Sequence, residues 1–472
     1  MAASPQNSFH DIGRARSDEA IGEPWGRRLW LALAVVLSVA IVIESYGIAT
    51  WPMADDEIPS LVELGLLHIG AENFFSVPPD QIDRLPKATP VWNAAQRLAI
   101  SWLPAGELSY RIPGLVYGLL TTVIAFLVAA RWRGLWFSVA LSILMLGSQL
   151  FVFLLQLNRF YSLAMLLLLL SLVATWWPGR GTAMTVAVAV LTPLTVLSHN
   201  VTVAWFVLTF MAAACGYVVS VVPRHVLVRT AVAATISVLI YFLYLRPLVQ
   251  GWASTGNPTP VLISFAAQVG VPALSLALFG ACVIVARKRR ESIVWWALMF
   301  AGSLCLFQLA TINWNPRYFL FFFPAVWILA AYGMDAIAGR LGRGVTAAAW
   351  YGSVALLLLP SLLSHFQDGT RHDYRRAAQV LQAHALPGQV ILSDDAETIS
   401  YYLPAGLRQR LDVRTRVRVL PESEFFLVTR SNAWMPLPRI AGRQLDLLEE
   451  IYKRRFDEFS HILRVYRVPA AD

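Results

Sequence analysis

The sequence predicts a mainly α-helical, polytopic membrane protein: about 11 transmembrane helices, a long first outer loop and a small C-terminal α/β domain. Three observations predict it. Of 472 residues, 57% are hydrophobic and only 14% are charged, whereas ordinary soluble domains carry about 25% charged residues. Apolar runs long enough to cross a bilayer recur along the chain. Basic residues collect in short clusters between alternate pairs of runs, which is the pattern of cytoplasmic loops. The last point also disposes of the net charge of +9: it belongs to loops at a membrane, and nucleic acid is excluded as a partner.

The first run, Leu29–Trp51, follows Arg27 and Arg28. It is longer than the apolar core of about 7–15 residues in a signal peptide, so it reads as an uncleaved helix with residues 1–28 as a cytoplasmic tail. Ten further runs follow: Ile112–Ala130, Leu135–Leu157, Phe160–Trp177, Thr182–Leu197, Val201–Val222, Val228–Leu245, Val261–Ala286, Ile293–Ile312, Tyr318–Ala338 and Val345–Leu363. From an inner N-terminus, the inner loops hold Arg131 and Arg133, Arg180, Arg224 and Arg229, the run Arg287 to Arg290, and Arg340 and Arg343. Every cluster falls on one side, and the odd number of runs sends the tail to the other. Residues 29–364 thus form the transmembrane domain and residues 365–472 an outer domain. Cys215, Cys282 and Cys305 all lie in apolar runs, which argues against a disulfide framework.

Two outer regions are polar. The first loop, residues 52–111, contains two apolar-periodic stretches, Ile58–Ile69 and Val91–Leu103, expected as helices lying in the membrane interface. In the tail, Tyr374–Ala385 has helical periodicity. Gln389–Leu392, Arg416–Leu420, Glu424–Thr429 and Ile462–Val468 have strand character.

Candidate chemistry gathers on the outer face. Asp55, Asp56 and Glu57 open the first loop. Two readings are open to them. Acids before Ile58-Pro59-Ser60 suit the positive end of a helix; equally, crowded carboxylates at a partly dehydrated surface raise the pKa of one member and equip it as a general base. The same face carries Arg84, Lys87, Arg97, Arg111, Arg159, Arg246 and Arg317. Charges at membrane depth cost about 2.5–3.5 kcal/mol each unless paired or snorkelling. These cations therefore either pair with the loop acids and headgroups or form a phosphate clamp, a use that suits guanidinium geometry. Arg159 lies between Asn158 and Phe160-Tyr161, and Arg317 between Asn315-Pro316 and Tyr318.

Four stretches, in this order, carry a resemblance: Ala54-Asp55-Asp56-Glu57-Ile58; Thr89-Pro90-Val91-Trp92-Asn93 with Tyr110-Arg111-Ile112-Pro113; Asn158-Arg159-Phe160-Tyr161-Ser162-Leu163; and Pro316-Arg317-Tyr318-Phe319. Together with the topology they resemble the GT-C superfamily of membrane glycosyltransferases. Within it they resemble the family 39-like bacterial relatives of protein O-mannosyltransferases and aminoarabinose transferases. Asp373-Tyr374-Arg375-Arg376 and Pro387-Gly388 are similar to the start of that family's outer domain. Departures are Thr89 in place of a proline, Lys87 one residue from the family's phosphate-binding lysine, and no second acid near the fourth helix.

The resemblance implies a bacterial inner-membrane enzyme that takes a sugar from a polyprenyl-phosphate donor and passes it to a lipid, glycan or protein acceptor in the periplasm, with inversion. It implies Asp56 as general base supported by Glu57 and Asp55. Arg317, Arg159 and Arg111, with Lys87, Arg84, Tyr161 and Tyr318, are then expected to hold the lipid phosphate. Some relatives use a divalent metal, but no ligand set stands out here. The competing expectations are a ligase or polymerase of lipid-linked saccharides, which needs outer arginines but not the acid pair, and a lipid or sugar transporter, for which inverted repeats are expected and none is found.

Overall fold

The computed structural model describes residues 26–53, 57–64, 89–177, 181–218, 222–249, 269–286, 320–321, 323–342, 344–368, 372–408, 411–414, 420–431, 436–451 and 462–470. The chain is mainly helical. In order, the helices are α1 (Arg27–Ser45), α2 (Glu57–Glu63), α3 (Pro90–Ile100), α4 (Glu107–Arg133), α5 (Leu135–Leu146), α6 (Gln149–Leu155), α7 (Tyr161–Trp176), α8 (Thr182–Ser198), α9 (Thr202–Val218), α10 (Arg224–Ile240), α11 (Arg246–Val249), α12 (Val271–Ala286), α13 (Phe323–Leu341) and α14 (Val345–Asp368). Four of the described helices are long and apolar enough to cross a membrane, or five if the bent pair α5–α6 is one span. The expected run Ile293–Ile312 lies outside the described residues.

The apolar pattern sets where helices occur, and local backbone chemistry sets where they stop. The first run was expected to stay helical to Trp51, yet α1 ends at Ser45. Gly47 adopts φ +71° there, and a Cβ on it would come within 2.1 Å of the Trp51 ring, so the turn needs glycine. The run Leu135–Leu157 is likewise not one straight helix. It bends by 72° between α5 and α6, where Gly147 closes α5 onto the Ile143 carbonyl and the Ser148 hydroxyl accepts from the Phe151 N–H. A π-helical turn, Tyr241–Leu245, joins α10 to α11.

The chain divides into two compact units, residues 1–44, 116–152 and 162–359 in the first and 45–115, 153–161 and 360–472 in the second. In the first unit, Leu33, Val36, Ala40, Phe126 and Leu146 form one apolar cluster. α12 and α13 cross very closely: Gly280 faces the Leu329 backbone and Gly333 the Leu276 backbone, with no room for a side chain at either point, as small residues allow between membrane helices. Arg229, fully buried, donates to the Thr175 and Trp177 carbonyls at 3.2 and 2.9 Å. It thereby satisfies orphan acceptors at the end of α7.

The second unit holds the first loop, the α6–α7 junction and the tail. The tail adds α15 (Tyr374–His384), β1 (Val390–Ser393), α16 (Ala396–Tyr402), α17 (Ala405–Arg408), β2 (Asp412–Arg414), β3 (Phe425–Ser431), β4 (Arg439–Ile440), β5 (Arg443–Gln444), β6 (Asp446–Ile451) and β7 (Ile462–Val468). Five strands form a sheet in the order β2-β1-β3-β7-β6. β2, β1 and β3 run parallel, with Val390 beside Asp412 and Phe425. β7 is antiparallel to both β3 and β6. Tyr374, Ala377, Leu381, Ile391, Ile399, Phe426 and Val465 build the main core of this domain. Asp373 caps α15 by accepting from the Arg376 N–H at 3.0 Å. Three of the four expected strands correspond to β1, β3 and β7; the expected strand Arg416–Leu420 lies almost wholly outside the described residues.

Candidate functional site

The second unit brings four of the expected site residues to one place. Arg111, in the first turns of α4, extends its guanidinium toward the start of α2. Its Nε donates to Glu57 Oε1 at 3.0 Å and its Nη2 to Glu57 Oε2 at 2.8 Å. The remaining three N–H groups go to backbone carbonyls: Nη1 to Ile48 at 2.8 Å and Trp51 at 3.0 Å, Nη2 to Pro52 at 2.9 Å. A guanidinium has five N–H donors, and all five are taken. Both side chains are wholly shielded from solvent. The pair therefore ties the end of the first apolar segment, the start of α2 and the start of α4 into one rigid piece. Arg111 was expected among the phosphate-holding cations; here its hydrogen-bonding capacity is committed to protein oxygens.

Glu57 also accepts from the Asn158 backbone N–H, at 2.8 Å to Oε1. This contact fixes the polar break between α6 and α7 against the acidic loop. The next residue, Arg159, is half-buried and donates through Nη1 to Ser60 Oγ at 2.7 Å, with its guanidinium carbon 4.9 Å from the Phe160 ring centroid. Among the described residues it pairs with no carboxylate, and its buried Nε has no acceptor. Arg111 and Arg159 thus differ although both are cations at the same acid: one is saturated, the other retains N–H groups for a ligand. Tyr161, the first residue of α7, is buried with its ring 4.5 Å from that of Phe160.

The third wall is α3. Gln96 donates through Nε2 to the Tyr110 carbonyl at 2.7 Å and to Asn158 Oδ1 at 2.6 Å, and Trp92 meets the Phe160 ring edge-on. Gln96, Ser60 and the Asn158 backbone were not among the residues expected at a site. A glutamine three residues after Asn93 on a helical period was the one signal available for Gln96.

The tail closes on the same loop. Tyr401 and Tyr402 of α16 pack on Met53, Ile58 and Leu61, and the Tyr402 hydroxyl accepts from the Met53 N–H. Arg375 of α15 donates to Glu107 at 2.7 Å and to the Thr50 carbonyl at 2.9 Å. Burial pushes the Tyr402 phenol well above its usual pKa, with Glu107 adding to the effect, so Tyr402 stays protonated. Glu44, near the end of α1 in the other unit, is buried and accepts from the Thr122 hydroxyl at 3.3 Å.

Asp55, Asp56, Lys87, Arg84, Arg317 and Tyr318 lie outside the described residues. Among the described residues no group of three or more His, Cys, Asp or Glu side chains is arranged to hold a metal ion.

No protein-family model and no curated protein sequence matches the chain. Its fold does match solved structures. ArnT from Cupriavidus metallidurans in the apo state has a TM-score of 0.53 at 13% identity, covering 93% of this chain and 97% of ArnT. The same protein bound to undecaprenyl phosphate gives 0.51 over the same coverage. The Archaeoglobus fulgidus oligosaccharyltransferase in the apo form gives 0.51 at 11% identity, over 83% of this chain and 65% of that one.

Proposed function

We propose that this chain transfers a sugar from a polyprenyl-phosphate donor to an acceptor on the outer face of a bacterial inner membrane, with its N-terminus cytoplasmic and its C-terminal domain periplasmic. The observation that carries the reading is the junction of Glu57, Arg111, Asn158 and Arg159, set within a fold shared along nearly its whole length with ArnT, a protein seen bound to undecaprenyl phosphate. It joins the acidic loop to a guanidinium with donors to spare.

In this reading Asp56 takes the proton of the acceptor hydroxyl as its oxygen attacks the anomeric carbon. The bond from that carbon to the phosphate oxygen breaks on the opposite side, and the product has inverted configuration. The departing polyprenyl phosphate gains negative charge, which Arg159 and Arg317, with Lys87 and Arg84 as loop contributors, stabilise. Glu57, the chain neighbour of Asp56, is itself fixed by Arg111. The acid pair at the head of the loop favours a transferase over a transporter, and the acceptor is a lipid, glycan or protein.

Membranes carrying an Asp56→Asn variant, supplied with a polyprenyl-phosphate-linked sugar, test the assignment. Loss of a general base lowers turnover by about 10²–10⁴-fold. Consumption of the donor at the wild-type rate removes Asp56 from the mechanism.

A further inference from the structure

Two buried amides, Asn93 on α3 and Asn158 next in the chain to Arg159, have hydrogen-bonding groups left unused among the described residues. Asn93 is 5% exposed and Asn158 1% exposed. Among the described residues neither the carbonyl nor the amino group of Asn93 has a partner, and the amino group of Asn158 has none. Leaving such groups unsatisfied in a protein interior is costly, so their persistence calls for a reason. The Asn158 amide is moreover held in one orientation: Gln96 donates to its Oδ1 at 2.6 Å, which turns its amino group away as a fixed donor. Asn93 lies one helical turn before Gln96 on the same face of α3.

We propose that Asn93 and Asn158 form the subsite for the sugar ring of the donor, binding its hydroxyl groups, with Gln96 as the residue that positions Asn158. This rests on the reading of the chain as a polyprenyl-phosphate-dependent transferase and specifies where the glycosyl group sits. The chemistry separates a sugar from a phosphate. The vacant set comprises two amino groups and one carbonyl oxygen; a phosphate offers only acceptors and is repelled by that carbonyl, whereas each sugar hydroxyl both donates and accepts. Location agrees as well. The sugar is bonded directly to the phosphate, so its subsite must adjoin the phosphate-binding cation, and Asn158 is the immediate chain neighbour of Arg159.

The test compares binding of undecaprenyl phosphate with binding of the same lipid carrying a hexosyl or pentosyl group, in the full-length protein and in Asn93→Leu. The wild type is expected to bind the glycosylated lipid more tightly. Asn93→Leu should lose about tenfold or more of that affinity while its affinity for the bare lipid stays within about twofold. Its thermal midpoint should hold or rise, because the leucine removes unsatisfied polar atoms from the interior. A Gln96→Leu variant, which frees the Asn158 amide to rotate, should show the same selective loss, and Gln96→Glu, whose carboxylate can only accept and so draws the Asn158 amino group to itself, a loss at least as large.

A wild type that binds both lipids equally overturns the subsite but leaves the function standing. A wild type that binds neither overturns both. Equal losses for both lipids in Asn93→Leu, or an effect confined to the acceptor KM, would also overturn it. A lowered thermal midpoint with unchanged lipid binding would make Asn93 a structural residue hydrated by an internal water and end the proposal.

Discussion

Arg111 and Glu57, 54 residues apart in the chain, form a two-pronged ion pair with both side chains fully shielded, at 3.0 and 2.8 Å. With three backbone carbonyls as further acceptors, Arg111 joins the end of the first apolar segment, the start of α2 and α4. The chemistry proposed for Asp56 depends on this pair, since Glu57 is its chain neighbour.

Removing one member of this pair strands the other charge. Arg111→Ala is expected to destabilise the protein by about 3–5 kcal/mol, seen as a lowered unfolding midpoint in detergent or lipid nanodiscs. Arg111→Lys should recover little, because an ammonium offers three donors from one point where five are used in a fork. A double variant, Arg111→Met with Glu57→Leu, should be more stable than either single change.

Arg159 is expected to behave in the opposite way. Its one described hydrogen bond is to Ser60, so Arg159→Ala should fold with a midpoint close to wild type. Its affinity for undecaprenyl phosphate should fall about 10- to 100-fold, the scale of a hydrogen bond to a charged group, and titration of the bare lipid measures this directly. An unchanged affinity would remove Arg159 from the phosphate site.

Glu397 in α16 sets a pH dependence in the tail. Burial first, and Asp395 second, push its carboxyl up to about 8, and among the described residues neither carboxyl oxygen has a hydrogen-bond partner. The folded form therefore holds a proton that the unfolded chain, at about 4.5, releases. Stability from this group is complete below about 4.5 and declines as pH rises through about 8. Glu397→Gln should flatten the thermal midpoint against pH over that window and raise it at the alkaline end.

The crossing of α12 and α13 tolerates no side chain. A Cβ at Gly280 would stand 1.9 Å from the Leu329 carbonyl oxygen and 2.8 Å from the Gly333 nitrogen, both backbone atoms that cannot rotate aside. Gly280→Ala should cost about 1–3 kcal/mol or more, whereas Gly352→Ala in α14, which meets nothing within 4 Å, should stabilise by up to about 1 kcal/mol through helix propensity. Paired unfolding measurements decide between close packing and mere helix propensity.

Each part that could be read from the sequence has a periodic or compositional cause. Apolar runs located most of the described helices, because in lipid every backbone group must be satisfied within its own segment. The strands β1, β3 and β7 were visible because buried central strands are apolar and β-branched. By contrast β6, with Leu447-Leu448-Glu449-Glu450, carries no strand signal and exists because β7 offers it a ladder.

The sequence by itself determined a helical membrane chain, the order of its segments, and a group of acids and cations worth testing, since composition and period act locally. Only the tertiary structure decided that the first long run turns at Gly47 and the next but one bends at Gly147. Only it decided that Arg111 is saturated while Arg159 keeps free N–H groups, and that Asn93 and Asn158 hold amides in reserve. Those distinctions arise from hydrogen bonds between residues far apart in the chain. Such bonds leave no period in the sequence, and which donors remain unused is fixed only when every neighbour is in place.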